Sequence, residues 1–256
     1  MMKSQRMRLA LLSVLLCLNP GHAFVPASST AAKTISSTKL YEQKSAEKQK
    51  QKRTQPWDVF RFVQQSSKFV PLPFASSQSS AKEIVQPGQV LWQPAPDQKS
   101  KNQLFQFAVL DDVVMGGSSS STVDNSSGLW KGMVTDANNG GFVGIRSTPN
   151  VQFDMTACRG LEWTFAASAN MPRRVKVVLR DSTDFNGIAW TTSVDIPAAG
   201  KNKQVTVKVP LKKAGSFSSV QPLVPTRFAK IVKDDSTKNG IDLSGITCFQ
   251  LVYSKF

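Results

Sequence analysis

Residues 175–196 read VKVVLRDSTDFNGIAWTTSVDI, and this stretch decides the class of fold. Val175, Val177 and Leu179 occupy every second position of its first half, and Ile188–Ile196 repeats the alternation in its second half. An alternation with period two is typical of an antiparallel strand that buries one face and exposes the other. The stretch therefore predicts two neighbouring β-strands.

The same alternation recurs through residues 104–256, whereas no stretch of the chain has sustained helical spacing. Asn138–Gly141 predicts a hairpin turn that needs positive φ, and 215–240, with two prolines, predicts a long irregular loop. Eight short strands separated by turn signals predict an all-β sandwich. Besides the two strands above, the predicted strands are Phe105–Leu110, Leu129–Val134, Phe142–Ser147, Leu161–Phe165, Val205–Val209 and Phe249–Tyr253.

Residues 1–23 have the three parts of a secretory signal peptide. Three basic residues before position 9 form the charged region, and Leu9–Leu18 forms a ten-residue apolar region. Small residues then offer a cleavage site after Ala23. Ten apolar residues are too few to span a bilayer, which needs about 20. We therefore expect residues 1–23 to be removed as a leader.

The residues after the expected cut have the composition of a transit peptide. Phe24–Tyr41 is rich in Ser and Thr, carries two Lys and has no acidic residue. The junction Ala23-Phe24-Val25-Pro26 resembles that of bipartite plastid presequences, so we expect delivery to a plastid through the secretory route. The alternative is a secreted protein with a disordered tail. Residues 42–55 are polar and low in complexity, so that 24–55 is expected to form a transit peptide and a disordered segment.

Residues 56–103 are expected to form a linker that contains an aromatic docking peptide. The stretch 56–74 is too apolar for a simple linker, because it includes Trp57, Phe60 and Phe69. Its helical amphipathic pattern is poor. We expect this peptide to dock on the domain's own surface, with a partner protein or a membrane surface as the alternative.

Charge follows the same division of the chain. The formal net charge is +15, of which residues 1–103 contribute +10 and residues 104–256 only +5. The high isoelectric point is therefore weak support for nucleic-acid binding. A basic face remains open as an RNA or acidic-partner site, or as solvated charge. Its members would be Arg173, Arg174, Lys176, Lys201, Lys203, Lys208, Lys212 and Lys213.

The sequence lacks the residues of the common catalytic and metal sites. Its one histidine, His22, lies in the predicted leader, which excludes catalytic triads and His-ligated metal sites from the mature chain. Three Cys without a Cys-x-x-Cys pair argue against a zinc site, and no Gly-x-Gly-x-x-Gly follows a strand. Asp111 and Asp112 could contribute to a calcium site, but adjacent side chains on an extended strand point apart. We expect no enzyme, no cofactor and no metal.

Two motifs lie within the β pattern. Asp111–Ser118 reads DDVVMGGS, and Asn139–Arg146 reads NGGFVGIR. They are followed by Gly160-Leu161-Glu162 at a strand start and by Val209-Pro210-Leu211 at a strand end. In this order and spacing they resemble the complex I intermediate-associated protein family, a family of thirty-kilodalton assembly factors. The resemblance covers about residues 104–256.

The resemblance implies a galactose-binding-like jelly roll and a role in assembling a membrane protein complex. The family domain ends in a further strand of the form Gly-x-Phe-x-Leu-x-Ile, which is not found before Phe256. This leaves open a shortened sequence or a sandwich with an open edge. Mitochondrial delivery is the family's alternative to the plastid.

The two motifs supply the candidate site. Gly116 and Gly117 are expected to need positive φ, while Met115 is the flexible apolar side chain available to a partner. Arg146, buried on its strand, is expected to pair with Asp111 or Asp112. The residues predicted to form the motif or contact a partner are Asp112, Met115, Gly116, Gly117, Ser118, Gly140, Gly141, Phe142 and Arg146.

These observations predict a non-catalytic assembly factor or chaperone-like binding module. Its partners would be subunits or intermediates of a respiratory or photosynthetic membrane complex. One alternative is a carbohydrate-binding module, in which Trp163 and Trp190 would form a stacking platform rather than core. The other is an RNA-binding plastid factor, whose affinity would fall steeply with salt.

Overall fold

The computed structural model describes residues 5–17 as backbone, and then 57–69, 82–95, 104–148, 151–166, 172–184, 186–198, 204–211, 220, 222–228 and 230–254. The predicted transit peptide and the polar segment 42–55 lie outside these residues. The elements in chain order are β1 (Gln5–Cys17), α1 (Val59–Ser66), β2 (Glu83–Ile84), β3 (Val90–Trp92), β4 (Gln106–Val109), β5 (Ser120–Asp124), β6 (Leu129–Val134), β7 (Phe142–Thr148), β8 (Phe153–Asp154), β9 (Gly160–Ala166), β10 (Arg173–Arg180), β11 (Ala189–Ile196), β12 (Gln204–Pro210), β13 (Val224–Arg227), β14 (Lys230–Ile231) and β15 (Cys248–Ser254).

Two antiparallel sheets contain almost all of these strands. The first has the order β12-β9-β1-β6-β5, with β3 also paired to β1, and the second has the order β14-β13-β11-β10-β15-β7-β4. Strands β2 and β8 form a short parallel pair. Both sheets contribute residues to one hydrophobic core. The prediction of an all-β sandwich is confirmed.

The core follows the alternation read from the sequence. Along β9, Leu161, Trp163 and Phe165 are fully buried while the residues between them are partly exposed. Trp190 is also buried, and its indole N–H donates to Asp181 Oδ2 at 3.0 Å. These tryptophans are therefore core residues rather than a stacking surface for a sugar.

Several short elements escaped the sequence analysis. Residues 82–95, placed in the predicted linker, form β2 and β3 and bury Val85, Leu91 and Trp92 in the core. Strands of two or three residues are too short to show an alternation. The predicted loop 215–240 contains the hairpin β13–β14, which extends the second sheet by pairing with β11. Pro225 in β13 masked this strand in the sequence.

The backbone of the predicted signal peptide lies in the middle of the first sheet. β1 pairs with β6 along Gln5–Ala10 and with β9 along Ala10–Cys17. An apolar run of this length is compatible both with the apolar region of a signal peptide and with a buried β-strand. The leader prediction concerns processing of the chain and stays a prediction.

Helix α1 was not expected, because eight residues are too few for the periodicity to stand out. Asp58 caps its first turn by accepting from the Arg61 backbone N–H at 2.9 Å. No helix in the described part of the chain is long and apolar enough to cross a membrane. The side of α1 that contacts the domain carries the buried Gln65.

Candidate functional site

The carboxylate of Asp112 joins the two sequence motifs. It is buried at the start of a 3-10 turn, Asp112–Met115. Its Oδ1 accepts from the backbone N–H of Ser119 at 2.8 Å, and its Oδ2 accepts from the Ser119 hydroxyl at 2.6 Å. Oδ2 also accepts from the backbone N–H groups of Gly141 at 2.7 Å and Phe142 at 3.3 Å. One side chain thus fixes the loop after β4 to the loop before β7.

The carboxylate of Asp111 likewise holds neighbouring elements together through hydrogen bonds. Its carboxylate accepts from the Ser121 N–H at 2.8 Å, the Ser121 hydroxyl at 2.6 Å and the Gly144 N–H at 3.4 Å. Gln65 of α1 donates to it at 3.2 Å and accepts from the Asp111 backbone N–H at 2.9 Å. Burial raises the pKa of the Asp111 carboxyl, against the hydrogen bonds, which lower it. Asp111 therefore joins β5 and β7 to the helix.

Polar contacts hold the segment 57–69 on these loops. The Trp57 indole N–H donates to the Val113 carbonyl at 3.1 Å. Arg61 Nη2 donates to the Ser119 carbonyl at 3.1 Å and lies 3.7 Å from Asp111 Oδ2. The segment docks on the domain as a short strap whose helix contacts the motif through its polar side.

Three glycines are required here by the close approach of other groups. A Cβ at Gly117 or Gly140 would overlap the Asp112 carboxyl, and one at Gly144 would lie 2.7 Å from the Leu110 carbonyl oxygen. The expectation of positive φ at Gly117 is wrong, since among this pair only Gly116 has it, at +86°. Position 117 requires glycine because the Asp112 carboxylate lies so close, and not because of the backbone angles there.

The expected ion pair of Arg146 does not form. Among the described residues, Arg146 makes no ion pair with Asp111 or Asp112, because backbone, hydroxyl and amide donors already surround those oxygens. The ion-pair partner of Asp111 is Arg61. The Arg146 guanidinium instead lies over the Phe69 ring, 5.5 Å from its centroid.

Arg146 also belongs to a buried basic group on the second sheet. Burial, followed by the like charge of Arg146, lowers the pKa of Arg180. Burial raises the pKa of the Cys248 thiol, against the attraction of both arginines. Cys248 is a free, fully buried cysteine, so it is protected rather than reactive.

Of the predicted contact residues, Met115 alone is prominently exposed. It is 68% exposed, whereas Ser118 is half-buried and bonded to the Thr135 hydroxyl at 3.0 Å. Gly116 lies beside the Trp57 ring, which places Met115 next to the start of the strap. We call the exposed apolar side chains here the apolar patch, which consists of Trp57, Val59, Phe60, Val63 and Met115.

The sequence analysis identified Asp112, Met115 and the glycines, but not the residues that hydrogen-bond to the two carboxylates. Ser119 and Ser121 lie in a run of serines whose alternate members bind the two carboxylates. A paired Asp-Asp followed by spaced serines was the available signal. Gln65 gave no signal, because it lies 46 residues from Asp111.

The alternative sites find little support in the described residues. No group of three or more His, Cys, Asp or Glu side chains there is placed to hold a metal ion. On the predicted basic face, Arg174 pairs with Asp195 at 2.7 Å and Lys208 with Glu162 at 3.7 Å. Four further members of this face, Lys201, Lys203, Lys212 and Lys213, lie outside the described residues.

Fold and site together define an all-β domain with an internally bonded loop motif and an exposed apolar surface. Residues 96–256 match the family described as Complex I intermediate-associated protein 30 (CIA30), so the chain belongs to that family. The family is associated with the assembly of complex I. No curated protein matches the chain.

Among solved structures, the chain is similar to a family 11 carbohydrate-binding module from Clostridium thermocellum in complex with a β-1,3-1,4-mixed-linked tetrasaccharide. The identity is 10% and the TM-score 0.25, over 60% of this chain and 83% of that one. A likeness at this level carries no argument about a ligand.

The contact between Gly117 and Asp112 generates a stability prediction. Gly117→Ala should lower the free energy of unfolding by about 1–3 kcal/mol, because the new methyl group displaces the carboxylate from its donors. Gly245→Ala is the matched control, since a Cβ there meets open space; it should be neutral or slightly stabilising. Urea unfolding measures both variants. Equal effects would show that the carboxylate does not restrict position 117.

The raised pKa of the Asp111 carboxyl predicts that the free energy of unfolding depends on pH. Because its folded-state pKa is raised, its stabilising contribution is complete below its unfolded-state pKa and is lost as pH rises through the folded-state value. The advantage of the wild-type chain over Asp111→Asn should therefore shrink as pH rises from the ordinary Asp range through the raised folded-state pKa.

Asp124 supplies a control of opposite sign. Hydrogen bonds from Ser126 and Ser127 lower the pKa of this exposed carboxyl to about 2. The advantage of wild type over Asp124→Asn should thus grow as pH rises from that value to the ordinary Asp range. Chemical unfolding across pH measures both series, and slopes of the same sign would contradict the assignment.

Proposed function

We propose that the protein is a non-catalytic assembly factor that holds a partly built subunit of a membrane protein complex. The family association supports this class of function. The observation that carries the proposal is the orientation of α1, whose polar side contacts the domain and whose apolar side faces outward. Phe60 is 80% exposed, and Val59 and Val63 lie on the same helical face.

Exposing these apolar side chains to water is energetically unfavourable unless a partner covers the outward face. Covering a Phe, Val or Met side chain stabilises a complex by roughly 1.5–3 kcal/mol each. The strap is held by Gln65, Arg61 and the indole N–H of Trp57. The other members of the apolar patch take no part in these hydrogen bonds. The apolar patch is therefore free to bind a client while the strap stays docked.

An unassembled subunit is the client that this chemistry fits best. Subunits of membrane complexes expose apolar surface until their neighbours are added, and a flexible Met beside aromatic rings suits surfaces that vary in shape. The two rings predicted to stack on a sugar in the carbohydrate alternative, Trp163 and Trp190, are buried. The RNA alternative is weakened because Arg174 and Lys208 have acidic partners.

The patch predicts a separation of stability from client capture. The double variant Phe60→Ser, Met115→Ser should change the free energy of unfolding by no more than about 0.5 kcal/mol, since both side chains are exposed. Its co-migration with assembly intermediates on native gels, probed with antibodies to subunits of respiratory and photosynthetic complexes, should fall at least about tenfold.

Phe228→Ser is the matched control. Phe228 is 66% exposed on the turn between β13 and β14, away from the strap. It should leave capture unchanged. Undiminished capture by the patch variant would contradict the proposal, and a fall matched by lost stability would show that the patch is structural.

We further propose delivery to a plastid through the secretory route, in which case respiratory complex I would not be the client. The support is the order of a signal-type run and a phenylalanine-led, acid-free segment in residues 1–41. A fluorescent reporter fused to residues 1–55 should enter plastids, and Phe24→Ala should stop it at an earlier compartment. Accumulation in mitochondria would overturn both steps.

A further inference from the structure

Three neighbouring strands of the second sheet carry polar side chains on the face that points away from the core. The core residues of β10, β15 and β7 alternate with a second set, and alternate side chains lie on opposite faces of a sheet. This second set includes Arg180 of β10, Cys248 and Gln250 of β15, and Arg146 of β7. Arg180 is the register partner of Cys248, and Gln250 is that of Arg146. The two arginines therefore flank β15, and we call these four residues the arginine cluster.

The arginine cluster is largely shielded from water although it lies outside the core. Arg146, Cys248 and Gln250 are buried. The ring of Phe69, at the end of the strap, lies over the Arg146 guanidinium. Arg180 is only partly buried. A solute can therefore approach the cluster from the side of β10.

Two positive charges thus share a poorly hydrated environment. The like charge of Arg146 is, after burial, the largest influence that lowers the pKa of Arg180. This agrees with the register, which brings the two side chains together over β15. Taking a cation out of water costs several kcal/mol unless an anion compensates for the lost hydration. The cluster therefore favours the binding of a negative charge.

The acidic residues that act on Arg180 are engaged by other donors. Asp181 Oδ2 accepts from a tryptophan indole N–H at 3.0 Å and from a backbone N–H at 2.9 Å. Asp184 Oδ1 accepts from the Asn186 backbone N–H at 2.9 Å. Each of these carboxylates attracts Arg180 less strongly than Arg146 repels it. Within the described ranges, neither forms an ion pair with Arg180.

The guanidinium of Arg180 keeps donors for such a negative charge. Its Nη1 donates to the carbonyl oxygens of Asp184 at 3.1 Å and Gly187 at 3.4 Å, which holds the loop after β10. Its Nε is buried and has no hydrogen-bond partner in the described part of the chain. Buried polar atoms are rarely left in this state, and guanidinium groups bind oxyanions through paired N–H donors. The Nε edge of Arg180 is therefore the expected point of contact.

We infer that the arginine cluster binds a phosphate group, held between Arg180 and Arg146 beside the amide of Gln250. A phosphate group carries about −1.5 to −2 charges at pH 7, which matches two guanidinium groups, whereas a carboxylate carries one. Burial raises the pKa of the Cys248 thiol, so this residue adds no competing negative charge. The group can come from free phosphate or from a phosphorylated molecule. The inference does not depend on the proposed function.

The test titrates the full chain with inorganic phosphate at constant ionic strength, with chloride as the replacement ion, and follows the arginine Nε–H resonances by NMR. Those of Arg180 and Arg146 should shift together along one saturable, one-to-one curve. The resonance of Arg174, which is exposed on β10 and paired with Asp195, should not move. Acetate should bind at least about tenfold more weakly, and acetate binding as tight as that of phosphate would overturn the choice of ligand.

O-phosphoserine distinguishes the two sources of the phosphate group. If it binds as tightly as inorganic phosphate, the site takes a phosphorylated molecule, and if it binds more weakly, the site takes the free ion. Either result supports the site.

Substitutions at Arg180 and Arg174 separate this site from general attraction by a basic protein. Arg180→Gln should weaken phosphate binding at least about tenfold, whereas the matched control Arg174→Gln should leave it unchanged. If Arg180→Gln does not fold because the loop after β10 loses its donors, Arg180→Lys keeps the charge. It should still bind more weakly, since an ammonium group lacks paired donors.

Three results would overturn the inference. The first is the absence of a saturable shift up to about 10 mM phosphate. The second is an equal shift at every arginine resonance, Arg174 included. The third is binding that is unchanged in the folded variants of Arg180. The proposed function would fail separately, in the capture assay of the apolar patch variant.

Discussion

Two adjacent carboxylates, Asp111 and Asp112, are buried at the point where the two sheets and the N-terminal strap meet. A buried carboxylate is costly unless donors surround it, and each hydrogen bond to a charged group contributes about 1.5–3 kcal/mol. Asp112 gathers its donors from the loops at Ser119 and Gly141, and Asp111 gathers its own from β5, β7 and α1. The positions of these loops are therefore set by the carboxylates.

The orientation of the strap also follows from the need of the buried carboxylates for hydrogen-bond donors. The side chain of α1 that satisfies Asp111 is an amide, Gln65, so the helix must present its polar side to the domain. The apolar residues Val59, Phe60 and Val63 are consequently left outside. A requirement of the buried motif thus creates the exposed surface on which the proposed function depends.

The sequence predicted the long strands after residue 128 because each repeats its alternation several times, as β9 and β10 do. It did not predict β1, whose apolar run was interpreted as a leader. It did not predict β2, β3 or the β13–β14 hairpin, because two to four residues carry no readable period. At the site, the motif residues were found by their unusual spacing. The partner of Asp111 was not, since Gln65 is distant in sequence and Arg146, which looked suitable, lies over Phe69 instead.

The most direct test of this account is amide hydrogen exchange at the donors of Asp112. In the wild-type chain the N–H groups of Ser119 and Gly141 should be protected, although neither belongs to a sheet ladder. In Asp112→Ala both should exchange faster together, while the ladder between β9 and β12 keeps its protection. Exchange that rises at only one of the two loops, or equally throughout the sandwich, would contradict the claim that this carboxylate joins them.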